Sequence, residues 1–202
     1  MKIFVFEPTG APQAKDMVRN LKVPKITPGR AALIGLMQRY LQGLMDPFVT
    51  LLEIHKLLYF LQESGEPLRL KYTKAHHGPY AENLSHVLSN IEGYMISGYA
   101  DGGNNPNKQI EIVPGAAHDA AAYLENQPET SNRINKVGRL IEGFETPFGL
   151  ELLATVHWIM TYEKAKNIDE IIQKVYEWNA QKHIFAKRQI EIAVRHLEDK
   201  FY

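Results

Sequence analysis

Apolar residues recur at helical spacing through most of this chain. Thr27-Pro28 opens the first such run, since threonine is a good N-cap and proline suits the first helical position. Leu33, Met37, Tyr40, Leu41 and Leu44 follow on one face. Thr50 with Glu53 is a capping-box signal, in which each side chain covers an orphan amide of the other residue. Leu51, Ile54, Leu57, Leu58 and Leu61 form the apolar stripe of that second helix, and Gly65 with Pro67 stops it. The pattern then changes period. Leu68, Leu70 and Tyr72 alternate with Arg69, Lys71 and Lys74, which predicts a short strand over 68–75. Helical spacing returns over 81–92 through Leu84, Val87, Leu88 and Ile91, and Gly93 ends it. Two β-prone runs, 94–99 and 109–113, flank a Gly- and Asn-rich turn and predict a hairpin or wing. The remainder predicts helices over 115–126, 130–142, 147–163, 168–178 and 184–200, with Pro147 in a first turn and Asn167–Glu170 as a further capping pair. The expected fold is mainly α with a small β-sheet or hairpin, a winged-helix-like core plus C-terminal helices.

The first residues fit this scheme less well. Lys2 to Phe6 is β-prone, but one isolated strand cannot pair its backbone. Residues 10–28 are polar and broken by Pro12, Pro24 and Pro28, which reads as a linker. The expected division is a strand remnant and linker over 1–26 and one domain over 27–202.

Composition narrows the chemistry. Lys plus Arg and Asp plus Glu are 23 each in 202 residues, so a broad basic surface for duplex nucleic acid is not expected. The absence of cysteine excludes disulfides, thiolate catalysis and cysteine-based metal sites. No apolar run approaches the roughly 18 residues that span a bilayer, and the N-terminus lacks a cleavable leader pattern, so a cytoplasmic protein without membrane partners is expected.

His76-His77 is the one adjacent pair among eight histidines. Neighbours on a strand point to opposite faces, which makes the pair a poor chelate, and no His-Glu-x-x-His spacing occurs. No nucleophile elbow, phosphate loop or dinucleotide fingerprint is present, and Gly102-Gly103 reads as a hairpin tip. Glu142, Glu145 and Glu151, near Gly143 and Gly149, could form an acid/base pair, but charges flanking helix ends commonly just complement the helix dipoles. No cofactor, metal or catalytic residue is expected. The segment carrying Arg69, Lys71, Tyr72, Lys74, His76, His77 and Tyr80 interleaves cations with rings. That composition equally suits stacking of single-stranded bases, a solvated strand edge, or a protein interface.

Five stretches carry a resemblance: VFEP (5–8), TPGRAALI (27–34), GEPLR (65–69), GPYAENL (78–84) and IEGFETP (141–147). Together they resemble the C-terminal domain of the DarG antitoxins, and the Gly-Pro-Tyr segment is similar to the broader Panacea group of antitoxin domains. DarG antitoxins oppose DarT toxins, which ADP-ribosylate single-stranded DNA. The family's N-terminal macrodomain removes that mark and has no counterpart here. Residues 2–6 resemble its last strand. The resemblance therefore implies a non-enzymatic toxin-binding domain that occludes the active site and single-strand route of a DarT-like ADP-ribosyltransferase. Its expected contact residues are Lys74, His76, His77, Tyr80, Glu82 and Asn83, with Tyr99, Asp101, Asn104 and Asn105 on the hairpin tip. The alternative is a winged-helix nucleic-acid-binding regulator, with direct DNA binding the less favoured partner.

Overall fold

The computed structural model describes residues 23–44, 47–100 and 102–202; the strand expected at 2–6 and most of the linker lie outside them. Among the described residues the chain forms α1 (Pro28–Leu41), β1 (Val49–Thr50), α2 (Leu51–Glu63), β2 (Tyr72–Ala75), β3 (Gly78–Ala81), α3 (Leu84–Ile91), β4 (Ile96–Ser97) and β5 (Gln109–Ile112). The helices α4 (Ala116–Leu124), α5 (Pro128–Leu140), α6 (Pro147–Thr161), α7 (Ile168–Trp178) and α8 (Lys187–Lys200) follow, with a 3-10 turn at Ala180–Ile184. This is the mainly helical fold with a small sheet that the pattern predicts.

Capping chemistry sets the helix starts. Thr50 Oγ1 accepts from the Glu53 amide while Glu53 Oε2 accepts from the Thr50 amide at 2.7 Å, closing the box on α2. Thr146 caps α6 at 2.9 Å from the Gly149 amide, and Asn167 caps α7 at 2.9 Å from Glu170. Gly65, at φ +97°, takes the left-handed conformation that ends α2.

The strands β1, β5 and β4 form one antiparallel sheet in that spatial order, with Val49 opposite Ile110 and Ile96 opposite Ile112. Helix α1, strand β1, helices α2 and α3, then β4 and β5 make a winged-helix core. The second hairpin, β2–β3, is inserted between α2 and α3. Its pairs run from Tyr72–Ala81 to Ala75–Gly78, so His76 and His77 are the turn itself and not strand neighbours. The predicted strand over 68–75 is shorter than its pattern because Arg69 sits at φ +59°, which breaks the extended run.

Helix α2 is the structural axis. Every residue from Leu51 to Leu61 is buried, against α6 and α5 on one side and the β2–β3 hairpin on another. The wing is sewn to its start. Leu51 and Leu52 donate their amides to the carbonyls of Lys108 and Pro106 at 2.9 and 3.0 Å, satisfying two of the four orphan donors of the helix. Gly98 anchors the other end of the wing at φ +101°, where a Cβ would stand 2.2 Å from the Gln109 carbonyl oxygen. Gly98→Ala should therefore cost about 2 kcal/mol from backbone strain, read as a melting temperature lower by roughly 4–8 °C. An unchanged melt would show that the wing relaxes freely. Among the described residues no helix is long and apolar enough to cross a membrane.

Candidate functional site

Three elements enclose a groove with a volume of about 190 Å³. The first turn of α2 supplies Leu51 and Leu52, and its second supplies His55 and Lys56. The β2–β3 hairpin supplies Ala75, His76, His77, Gly78 and Tyr80, and the wing brings Asn104 and Pro106. The wing reaches this place because of its two carbonyl bonds to the start of α2. The Tyr80 ring stacks on His55 with centroids 4.3 Å apart and planes inclined by 26°. The rings of His76 and His77 meet edge to face at 4.7 Å.

A buried charge cluster backs the hairpin turn. Glu151 accepts from Lys182 Nζ at 2.5 Å and lies 3.2 Å from His77 Nδ1. Lys56 donates to the Pro79 carbonyl at 2.7 Å. Lys182 is 0% and Lys56 2% exposed. Burial holds the Lys56 ammonium down to about 7, with the Glu151 carboxylate opposing that shift and the Lys182 cation adding to it. Burial likewise lowers Lys182, partly offset by its bond to Glu151. Burial, with a smaller contribution from the Lys56 charge, lowers His55 to about 3, so its ring is neutral at physiological pH. Three buried side-chain atoms around the same turn have no hydrogen-bond partner among the described residues: Thr155 Oγ1, Asn179 Oδ1 and Gln181 Oε1. Gly78 is required here, at φ +90°, because a Cβ would come within 3.0 Å of Thr155 Oγ1.

Four of the expected site residues, His76, His77, Tyr80 and Asn104, do meet in the groove. The others are occupied or elsewhere. Lys74 pairs with Glu163 at 2.8 Å and lies over the Trp178 ring. Asn83 clips the preceding segment, accepting from the Lys71 amide at 2.9 Å and donating to the Arg69 carbonyl at 3.1 Å. Tyr99 is not a presented ring, being 2% exposed and packed in the core. Glu82 is exposed beside α3, and Asn105 shapes the wing by accepting from the Asn107 amide at 3.0 Å. Asp101 lies outside the described residues. Of the three carboxylates considered together, Glu142 and Glu145 line a separate hollow with Arg39, and Glu151 belongs to the buried cluster.

Pattern reading missed Lys56, Thr155 and Lys182. One signal was available: Glu151 is the single charged residue in the fifteen-residue apolar run of α6, and such a charge requires a buried partner. Among the described residues no three His, Asp or Glu side chains gather as metal ligands. Helix α3, which occupies the recognition-helix position of the winged-helix core, carries no Lys or Arg in LSHVLSNI.

No family model matches the chain. A Thermus aquaticus protein named DNA ADP-ribosyl glycohydrolase is 37% identical over 194 residues, which are 96% of this chain and 53% of that protein. Proteins of the same name from Mycobacterium bovis and Mycobacterium tuberculosis are 34% identical over 203 residues, 94% of this chain and 57% of each of them. The chain spans about half the length of the curated relatives it matches.

These relatives correct the functional expectations. The resemblance to a toxin-binding DarG domain implied a chain without catalysis, partnered by a DarT-like toxin whose active site and single-strand route it occludes. The relatives that cover nearly the whole chain are named instead for an enzymatic activity on ADP-ribosylated DNA, and none is named for a toxin. The expectation had assigned that hydrolysis to the family's N-terminal macrodomain. The reading as a regulator falls with the same finding, and a recognition helix without cations gives it no independent support.

Proposed function

We propose that this chain works in the hydrolytic release of ADP-ribose from DNA, as about half of an enzyme of the kind its relatives are named for. Identity of 34–37% over 94–96% of the chain carries the reading. In it, the groove between α2, the β2–β3 turn and the wing contacts the substrate. His77 is the proton-handling group of that groove, its imidazole oriented by the Glu151 carboxylate. The hydrolysis adds water across the bond joining ADP-ribose to DNA and returns a proton to the released base. The reaction takes place in the cytoplasm, where the DNA is.

A domain exchange tests this. The chain replaces the matching half of the Thermus aquaticus relative, and a second protein simply lacks that half. Both are given DNA carrying ADP-ribose, and the free ADP-ribose is measured. The exchanged protein should release ADP-ribose at a rate within about tenfold of the intact relative, whereas the shortened protein should fall by about a hundredfold or more, as expected when substrate positioning is lost. A folded exchanged protein without activity, or a shortened one as active as the intact relative, overturns the reading.

A further inference from the structure

The groove has the properties of a slot for one flat, uncharged ring. Its floor is Leu51 and Leu52, and one wall is the stacked pair of Tyr80 and His55. Burial keeps the His55 ring neutral, so this pair offers a π-face without a charge to repel or attract the ligand strongly. The exposed Asn104 and His76 and the half-buried His77 bring hydrogen-bonding groups to the opening, while the Lys56 ammonium inside donates to the Pro79 carbonyl. These groups suit the polar edge of a heterocycle whose faces are apolar.

Size and charge exclude a whole ADP-ribose. A volume of about 190 Å³ is below the roughly 300–1,000 Å³ of pockets for drug-sized ligands. A diphosphate needs available cations or a nest of backbone amides. The lysine that lines the groove, Lys56, already donates to the Pro79 carbonyl, and Lys182 behind it is committed to Glu151. Cations instead lie along the approach. Lys71, exposed, and Arg69 precede β2, the strand that runs into the groove at Ala75. Four residues of extended chain separate Lys71 from Ala75, about 13 Å. A strand of about four nucleotides, the lower end of known single-strand site sizes, would cover that distance.

We propose that the groove takes a single unpaired nucleobase of the DNA strand, laid against the Tyr80–His55 pair, while Lys71 and Arg69 meet backbone phosphates further along β2. The proposal rests on the reading that this chain works on DNA carrying ADP-ribose, and it specifies which part of that substrate the groove holds. The ring partner is sequence-tolerant, because every base presents a π-face.

The test is fluorescence of a short single-stranded oligonucleotide with 2-aminopurine in place of one central base. Binding to the chain should quench it, since stacking quenches this base. Tyr80→Ala should weaken binding by about fivefold to a hundredfold, the loss of one base–aromatic stack, and Tyr80→Phe should restore it. Asn104→Trp, which places a bulky ring at the exposed mouth without touching the core, should abolish quenching even if Tyr80→Ala disturbs the fold. Lys71→Glu should weaken binding and flatten its salt dependence while leaving quenching at saturation intact. Binding without quenching, or binding unaffected by Asn104→Trp, overturns the proposal. So does stoichiometric competition by free ADP-ribose, which would assign the slot to its adenine. The domain exchange fails or succeeds separately: quenching without ADP-ribose release would leave the base slot standing and remove the enzymatic reading.

Discussion

Glu151→Ala should destabilise the protein by about 3–5 kcal/mol, the range for breaking one side of a buried ion pair. At roughly 2–4 °C per kcal/mol for a chain of this size, the melting temperature should fall by about 6–20 °C. Lys182 is fully buried, and among the described residues Glu151 is its one ion-pair partner, at 2.5 Å. Removing the carboxylate leaves an ammonium in the interior beside Trp178 and Phe185, and it removes the anion that favours charge on Lys56. It also frees His77 from the contact that orients it in the groove. The double substitution Glu151→Leu with Lys182→Met should recover most of the loss, because an apolar pair of similar volume avoids the desolvation of two charges. Urea denaturation of the wild type, the single variant and the double variant checks this. A loss under about 1 kcal/mol for Glu151→Ala would show that water reaches the pair and screens it.

Local chemistry was legible in the sequence, and long-range placement was not. The Thr50–Glu53 box, Pro147 in the first turn of α6, the Asn167 cap and the hairpin between 96 and 112 are each specified by a few neighbouring residues, and the structure contains them. Strand β1 is two residues long, and its partner Ile110 is 61 positions from Val49, so no periodic signal marks it. Strand β3 begins Gly78-Pro79, which reads as a turn; the proline is tolerated because the hairpin is only two strands wide and both are edges. For the same reason His76 and His77 read as strand neighbours although they form the turn. The site shows the same limit. His76, His77, Tyr80 and Asn104 could be picked out as exposed polar or ring-bearing residues. Their partners His55, Lys56 and Glu151 lie inside helices buried on all sides, where amphipathic spacing carries no information about which face looks toward the hairpin.

The protein should lose stability steeply below about pH 6.5, with His55 and His157 as the cause. Burial lowers His157 to about 4; its Nδ1 shares a hydrogen bond with the Tyr59 hydroxyl at 2.7 Å and its ring meets Phe60 and Phe201. His55 is lowered to about 3, by burial first and the Lys56 charge second. Both are bases depressed in the folded state. Above about pH 6.5 neither the folded nor the unfolded chain protonates them, and they impose no penalty. As pH falls through that value the unfolded chain binds two protons that the folded chain refuses, so unfolding gains up to about 2.7 kcal/mol per pH unit. The penalty grows until about pH 4 for His157 and about pH 3 for His55, where the folded forms protonate in turn. Lys56 acts in the same sense between its ordinary value of 10.5 and about 7, so it adds nothing to the slope below pH 6.5. Melting temperatures measured from pH 7 to pH 4 should therefore fall continuously. His157→Gln, which keeps an acceptor for Tyr59 and cannot titrate, should start lower at pH 7 but lose stability about half as fast. A wild-type melting temperature that stays flat from pH 6.5 to pH 4.5 would mean that both histidines take up protons without leaving the core.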